Sequence, residues 1–214
     1  NKKKAQGFYS SGIKTLDQLG PEHKLSESQK VQLETYQSNK EYINKEEIRS
    51  FLAELQYPLY FLDFETFGLG NAIPIIEISR PYQHIPFQYS LHIQREPGAE
   101  LEHREFLYTE IGGDPRQSFM DQLKNDIGPS GSVIAWNMTY EKGKIKEVSN
   151  DLQITDPFFT ELLDRFIDLM IPFSKFWYHH PKQRGSYSIK AVLPALTDLS
   201  YSDLDIGDGF SAAV

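Results

Sequence analysis

The stretch "YPLYFLDFETFGLG" (57–70) constrains the fold more than any other. Tyr57 to Phe64 is almost wholly apolar and rich in aromatic residues, which predicts a strand bound for a core. Asp63 and Glu65 stand at its carboxyl end, and residues two apart in a strand share a face. Leu59, Phe61, Asp63 and Glu65 therefore line one side, with Tyr60, Leu62, Phe64 and Thr66 on the other. Two like charges on a partly desolvated face repel, and one pKa rises unless a cation sits between them. A hard divalent cation such as Mg²⁺ or Mn²⁺ takes oxygen ligands of this kind. A strand that simply ends at Asp63, with solvated turn acids beyond it, gives the same spacing, so D-x-E alone leaves both readings open.

The rest of the chain supplies elements to surround such a strand. "FQYSLHIQ" (87–94) and "EHREFLYT" (102–109) are β-rich runs joined across a Pro-Gly turn, which predicts a hairpin. "GGDPRQSFMDQLKNDIG" offers Asp114 as N-cap, Pro115 at the first helical position and Gly128 past the end. "GSVIAWN" (131–137) predicts a short buried strand and "TYEKGKIKEVSNDL" a helix after it. "FIDLMIPF" (166–173) is a further apolar segment and "SIKAVLPAL" (188–196) a short helix. The expected architecture is α/β, a mixed central sheet with helices on both faces. Residues 1–56 differ, being polar and helix-prone, and predict a helical lead-in to a domain over 57–214. Capping boxes are expected at Ser26 with Gln29 and at Asn44 with Glu47, and Ile48, Phe51, Leu52 and Leu55 fall at the spacing of one buried stripe.

Charge restricts the chemistry. Residues 1–50 carry 9 Lys and Arg against 7 Asp and Glu, whereas 51–214 carry 13 against 23. A domain that grips phosphates through basic side chains alone would not show this balance. Metal-dependent phosphate chemistry stays open, because bound cations neutralise carboxylates. Zero cysteines exclude disulfides and thiolate metal sites, consistent with a cytoplasmic location. No run approaches the ~20 apolar residues of a membrane span, so no membrane partner is expected.

Four further groups could carry chemistry. Glu141 opens a helix four residues after Asn137 ends a buried strand, placing a third carboxylate at a strand-to-helix junction; an ordinary first-turn acid reads the same way. Asp168 lies in an otherwise apolar run, either bordering a site or satisfied by backbone N–H groups. Ser186, Ser188 and Lys190 could hold a phosphate or form a plain helix start with a surface lysine. Lys142, Lys144 and Lys146 suit a small strand-binding patch or a solvated face. His179 and His180 lack the partners a zinc site needs.

The motifs "DFET", "RPYQHIPFQYSLH", "WNMTYEK", "RFIDLMIPF" and "GSYSIKAVLPAL" with "YSDLDIGDG" resemble a bacterial domain-of-unknown-function family within the DnaQ-like, or DEDD, 3′–5′ exonucleases of the ribonuclease H-like fold. The resemblance covers roughly residues 57–214. "YSSGIKTLDQL" resembles the helical connector that follows a RecB/Cas4-like nuclease domain in longer relatives. The resemblance implies a two-metal phosphodiesterase site holding two Mg²⁺ or Mn²⁺ ions. Asp63 would bridge both ions, Glu65 would bind one and orient water, and Glu141 would complete the second shell, with Asn137, Asp168 and Lys190 in secondary positions. It implies single-stranded DNA or RNA as substrate, with Tyr60, Phe64, Phe67 or Trp136 available to stack bases. It also implies a fourth carboxylate four or five residues after a Tyr or His that activates the water. That residue is expected past Val214, with Asp203, Asp205 and Asp208 as substitutes. A catalytically incomplete interaction module that retains the fold is the alternative.

Overall fold

The computed structural model describes residues 2–20, 22–68, 76 and 79–201. In chain order the elements are α1 (Lys2–Ser10), α2 (Glu27–Ser38), β1 (Tyr42–Ile43), α3 (Lys45–Ala53), β2 (Leu59–Phe67), β3 (Ile85–Gln94), β4 (Leu101–Leu107), α4 (Arg116–Asp126), β5 (Ser132–Ala135), α5 (Thr139–Asp151), α6 (Pro157–Asp164), β6 (Phe166–Asp168), α7 (Ile171–Ser174), β7 (Tyr178–His179) and α8 (Ile189–Leu196). They form two compact units: residues up to Phe51 with Met170–Ser200, and Leu52–Leu169 with Tyr201. Residues 170–200 thus group with the lead-in, a division the expected 1–56 and 57–214 boundaries do not draw. No helix among the described residues is long and apolar enough to cross a membrane.

The second unit is α/β, built on a mixed five-stranded sheet of order β4-β3-β2-β5-β6. β3 runs antiparallel to both β2 and β4, while β5 is parallel to β2 and β6 parallel to β5. The chain enters β5 through Gly131 (φ 95°), where a Cβ would stand 2.1 Å from the Pro58 carbonyl oxygen, so only glycine lets it pass beside β2. Arg165 donates to the carbonyls of Gly128, Ser130 and Gly131 and holds that entry.

One apolar cluster carries the unit. Tyr60, Leu62 and Phe64 of β2, Tyr89, Leu91 and Ile93 of β3, and Val133 and Ala135 of β5 meet Phe119 and Leu123 of α4, Ile145 and Val148 of α5, and Leu162 of α6. Burying each such large side chain contributes about 1.5–3 kcal/mol. All these strand residues belong to one alternating set, so α4, α5 and α6 pack over the same face of the sheet. On the opposite face β3 and β4 present Ser90, His92, His103 and Glu105, while Leu59 of β2 and Ile134 of β5 are buried.

In the first unit the Ser26–Gln29 capping box forms at α2, and Asn44 accepts the Glu47 N–H at α3. Phe51 is buried edge-on to Trp177, but Leu52 is 51% exposed, so the expected stripe is narrower by one residue. His179 is buried, its Nδ1 3.0 Å from the Thr35 hydroxyl, in a structural role.

Candidate functional site

The carboxyl ends of the parallel strands β2, β5 and β6 point the same way, and the carboxylates collect there. Asp63 lies midway along β2, two residues past Phe61, the last residue paired with β5. Asp168 ends β6 and pairs with Ala135 at the end of β5. Past Ala135 the chain turns through Asn137, a non-glycine residue at φ 65°, and enters α5 two residues later. Asparagine tolerates this left-handed conformation better than most residues. Its N–H donates to Asp168 Oδ1 at 2.9 Å, so β6 fixes the turn that launches α5. Glu141 follows in the first turn of α5 and points inward, 3% exposed.

The electrostatics of Glu141 are those of an uncompensated acid. Burial pushes its carboxyl up to about 7 against a hydrogen bond from its own backbone N–H, helped by the charges of Asp63 and Asp168. Its Oε2 is buried without a hydrogen-bond partner among the described residues. An unpaired buried polar atom costs of order 1–3 kcal/mol and a charged one more. Asp63 keeps an exposed side chain, yet the protein mass around it raises its carboxyl, opposed by the Phe64 N–H. The Tyr201 phenol is raised by burial and by the Asp63 charge.

A hydroxyl bridge ties the carboxylate-bearing elements together. Tyr140, beside Glu141, shares a 2.5 Å hydrogen bond with Thr66, beside Glu65, and Thr66 lies 3.3 Å from His84 Nδ1. Sequence reasoning gave no separate role to Tyr140, Thr66, His84 or Tyr201, which entered only within the motifs "WNMTYEK", "DFET", "RPYQHIPFQYSLH" and "YSDLDIGDG".

The predicted residues divide into three groups. Glu141 feels the charges of Asp63 and Asp168 at one end of the sheet, and Asn137 joins them through Asp168. Glu65 is half-buried, two residues beyond Asp63 on β2. Lys190 belongs to the other unit, in the first turn of α8. Among the described residues no group of three or more His, Asp or Glu side chains stands in the arrangement of a ready metal cage. Tyr60 and Phe64 are core residues and cannot stack a base, whereas Phe67 and Trp136 stay partly open. Lys144 is bound to Glu147 and to the His84 carbonyl rather than solvated. Asp203, Asp205 and Asp208 lie outside the described residues.

A family model described as "Domain of unknown function (DUF2779)" matches residues 60–188, more than half of the chain. No curated protein and no solved structure matches.

Proposed function

The chain belongs to the DUF2779 family, whose matched span contains Asp63, Glu65, Glu141 and Asp168, and from this site we propose metal-dependent hydrolysis of phosphodiester bonds in nucleic acid. The carrying observation is Glu141: a buried acid raised to about 7, facing other acids, with an oxygen that no described group satisfies. A cation is the simplest group that would remove both faults at once. The unit's order of three strands, helix, strand, helix, with β2 central and β3 antiparallel to it, supports the ribonuclease H-like, DnaQ-like reading.

In this reading Asp63, Glu65 and Glu141 hold Mg²⁺ or Mn²⁺. Bound ions supply Lewis-acid stabilisation of the attacking and leaving oxygens. Asp168 and Asn137 set the turn that aims Glu141, and Tyr140 with Thr66 fixes its distance from β2. Tyr201 stands four residues before Asp205, the spacing the resemblance sets between the water-activating residue and the fourth carboxylate. Its phenol feels the Asp63 charge, which makes Asp205 the first candidate for that ligand. The substrate is single-stranded DNA or RNA, degraded from its 3′ end.

The test is Mn²⁺ calorimetry on wild type and Asp63→Ala, together with digestion of 5′-labelled single-stranded oligonucleotides. Binding lost in Asp63→Ala, and cleavage lost in Asp63→Ala and Asp205→Asn, is expected. The acidic balance of residues 51–214 favours a second reading, a non-catalytic interaction module. Oligonucleotide binding with no Mn²⁺-dependent cleavage would establish that module and overturn the hydrolase.

A further inference from the structure

Beyond the carboxylates, at the same end of β2, lies a small aromatic cavity of about 230 Å³ lined by Phe67, Phe87, Tyr108, Glu110 and Gly113. It is smaller than the ~300–1,000 Å³ of pockets for drug-sized ligands, so it admits one ring system. Phe67 follows Glu65 by two residues on the same strand, so by alternation it shares that face about 7 Å further along. The register slips between Glu65 and Thr66: Glu65 pairs with Gln88 and Thr66 with Pro86, leaving Phe87 as the extra residue. Such bulges re-aim side chains near functional sites. Here the Phe87 ring comes to 5.7 Å from Phe67, tilted by 58°.

The far wall is built to stay in place. A Cβ on Gly113 would stand 1.9 Å from the Tyr108 hydroxyl, so glycine is what lets that ring lie over the loop. The same hydroxyl donates to Glu110 Oε2 at 3.2 Å and steadies the carboxylate at the rim. Behind the loop, the buried Arg116 guanidinium binds Asp114 at 2.6 Å and Asp151 at 3.2 Å.

We propose that this cavity is a nucleobase subsite, in which Phe67, Phe87 and Tyr108 receive an unpaired base and Glu110 selects bases bearing an exocyclic amino group. The inference rests on the carboxylates being a phosphodiester-cleaving centre, because that places a nucleotide next to the cavity. Aromatic faces suit any base, whereas a carboxylate accepts from the amino group of cytosine or adenine. Thymine offers one ring N–H flanked by two carbonyl oxygens, which repel the carboxylate.

Deoxycytidine and thymidine are the probes, because nucleosides carry no phosphate and report on the cavity without the metal site. Saturation-transfer NMR on the full chain in EDTA should show deoxycytidine binding more tightly than thymidine, by about tenfold for one carboxylate-to-amino contact. Phe67→Leu, which keeps an apolar side chain but removes the ring, should weaken both by about tenfold. Glu110→Gln should narrow the preference, weakening deoxycytidine and strengthening thymidine, because the amide accepts less strongly and can donate to a thymine carbonyl. Equal binding of the two nucleosides, an unaffected Phe67→Leu, or no binding of either overturns the subsite. Nucleoside selection without Mn²⁺-dependent cleavage of oligonucleotides would keep the subsite and sink the hydrolase reading instead.

Discussion

The two ends of α5 handle a buried acid in opposite ways. At its carboxyl end Asp151, 9% exposed, accepts from Arg116, from Arg80 and from the Gln83 amide. One turn earlier burial would raise Glu147, but Lys144 and Arg80 outweigh it and hold its carboxyl below the usual range. At the amino end, ten residues from Asp151 and about 15 Å away along the axis, Glu141 is more deeply buried, and against one backbone hydrogen bond the charges it feels are those of Asp63 and Asp168. The fold can therefore surround a carboxylate with arginines, and does so on this same helix. The absence of such compensation at Glu141, among the described residues, is the contrast on which the proposed cation site rests.

Breaking the satisfied end should have the largest effect. Arg116 is 1% exposed, and replacing it with leucine strands Asp151 and Asp114 without their shared partner. A loss of about 3–5 kcal/mol in denaturant unfolding is expected, the usual cost of leaving one member of a buried ion pair. A loss below 1 kcal/mol would mean that Arg80 alone neutralises the cluster.

The unsatisfied end should respond with the opposite sign, and to pH. Glu141 is raised from 4.5 to about 7, so in that interval the folded chain holds a proton that the unfolded chain has released. Its contribution is full below about pH 4.5 and is lost as pH rises through about 7, worth about 3 kcal/mol over the window. In EDTA, unfolding free energy should fall across this range, and Glu141→Gln should flatten the fall and stabilise the chain at alkaline pH. A Glu141→Gln protein less stable than wild type at alkaline pH would show that the carboxylate is already compensated.

Divalent metal should reverse that slope. With Mn²⁺ at a hundred times its dissociation constant, the linkage gain is about 2.7 kcal/mol. It should appear in wild type and be absent in Asp63→Asn and Glu141→Gln. Thermal shifts that survive both substitutions would place the ion elsewhere.

Much of this contrast was legible before the fold was seen. The alternation of "YPLYFLDFET" separated Asp63 and Glu65 from the core face, and the strand-then-helix pattern of "VIAWNMTYEK" set Glu141 at a junction. Local periodicity and junction spacing carry such information because they act within a few residues. The Arg116–Asp151–Arg80 network was not legible, since its members come from α4, α5 and the segment before β3, which only the tertiary fold assembles. The same holds for the packing of α4, α5 and α6 over one face and for the grouping of residues 170–200 with the lead-in, which depend on what the strands pair with. The bulge at Phe87 leaves no periodic signal, so the aromatic cavity was represented in the sequence only by Phe67.

The smallest predicted effect tests how the unsatisfied end is held in place. Tyr140 and Thr66 share one hydroxyl bond across β2 and α5, and Tyr140 is 38% exposed. Tyr140→Phe keeps the ring against Lys144 and removes only that bond, so stability should fall by about 1 kcal/mol. If the bond also sets the spacing of Glu141 from Asp63 and Glu65, Mn²⁺ affinity should weaken by more than the stability change alone accounts for. Thr66→Val, which deletes the other hydroxyl, should then give the same affinity loss, and the double variant no further loss. Additive losses would mean that the two hydroxyls act separately and that the Asn137–Asp168 turn alone aims Glu141.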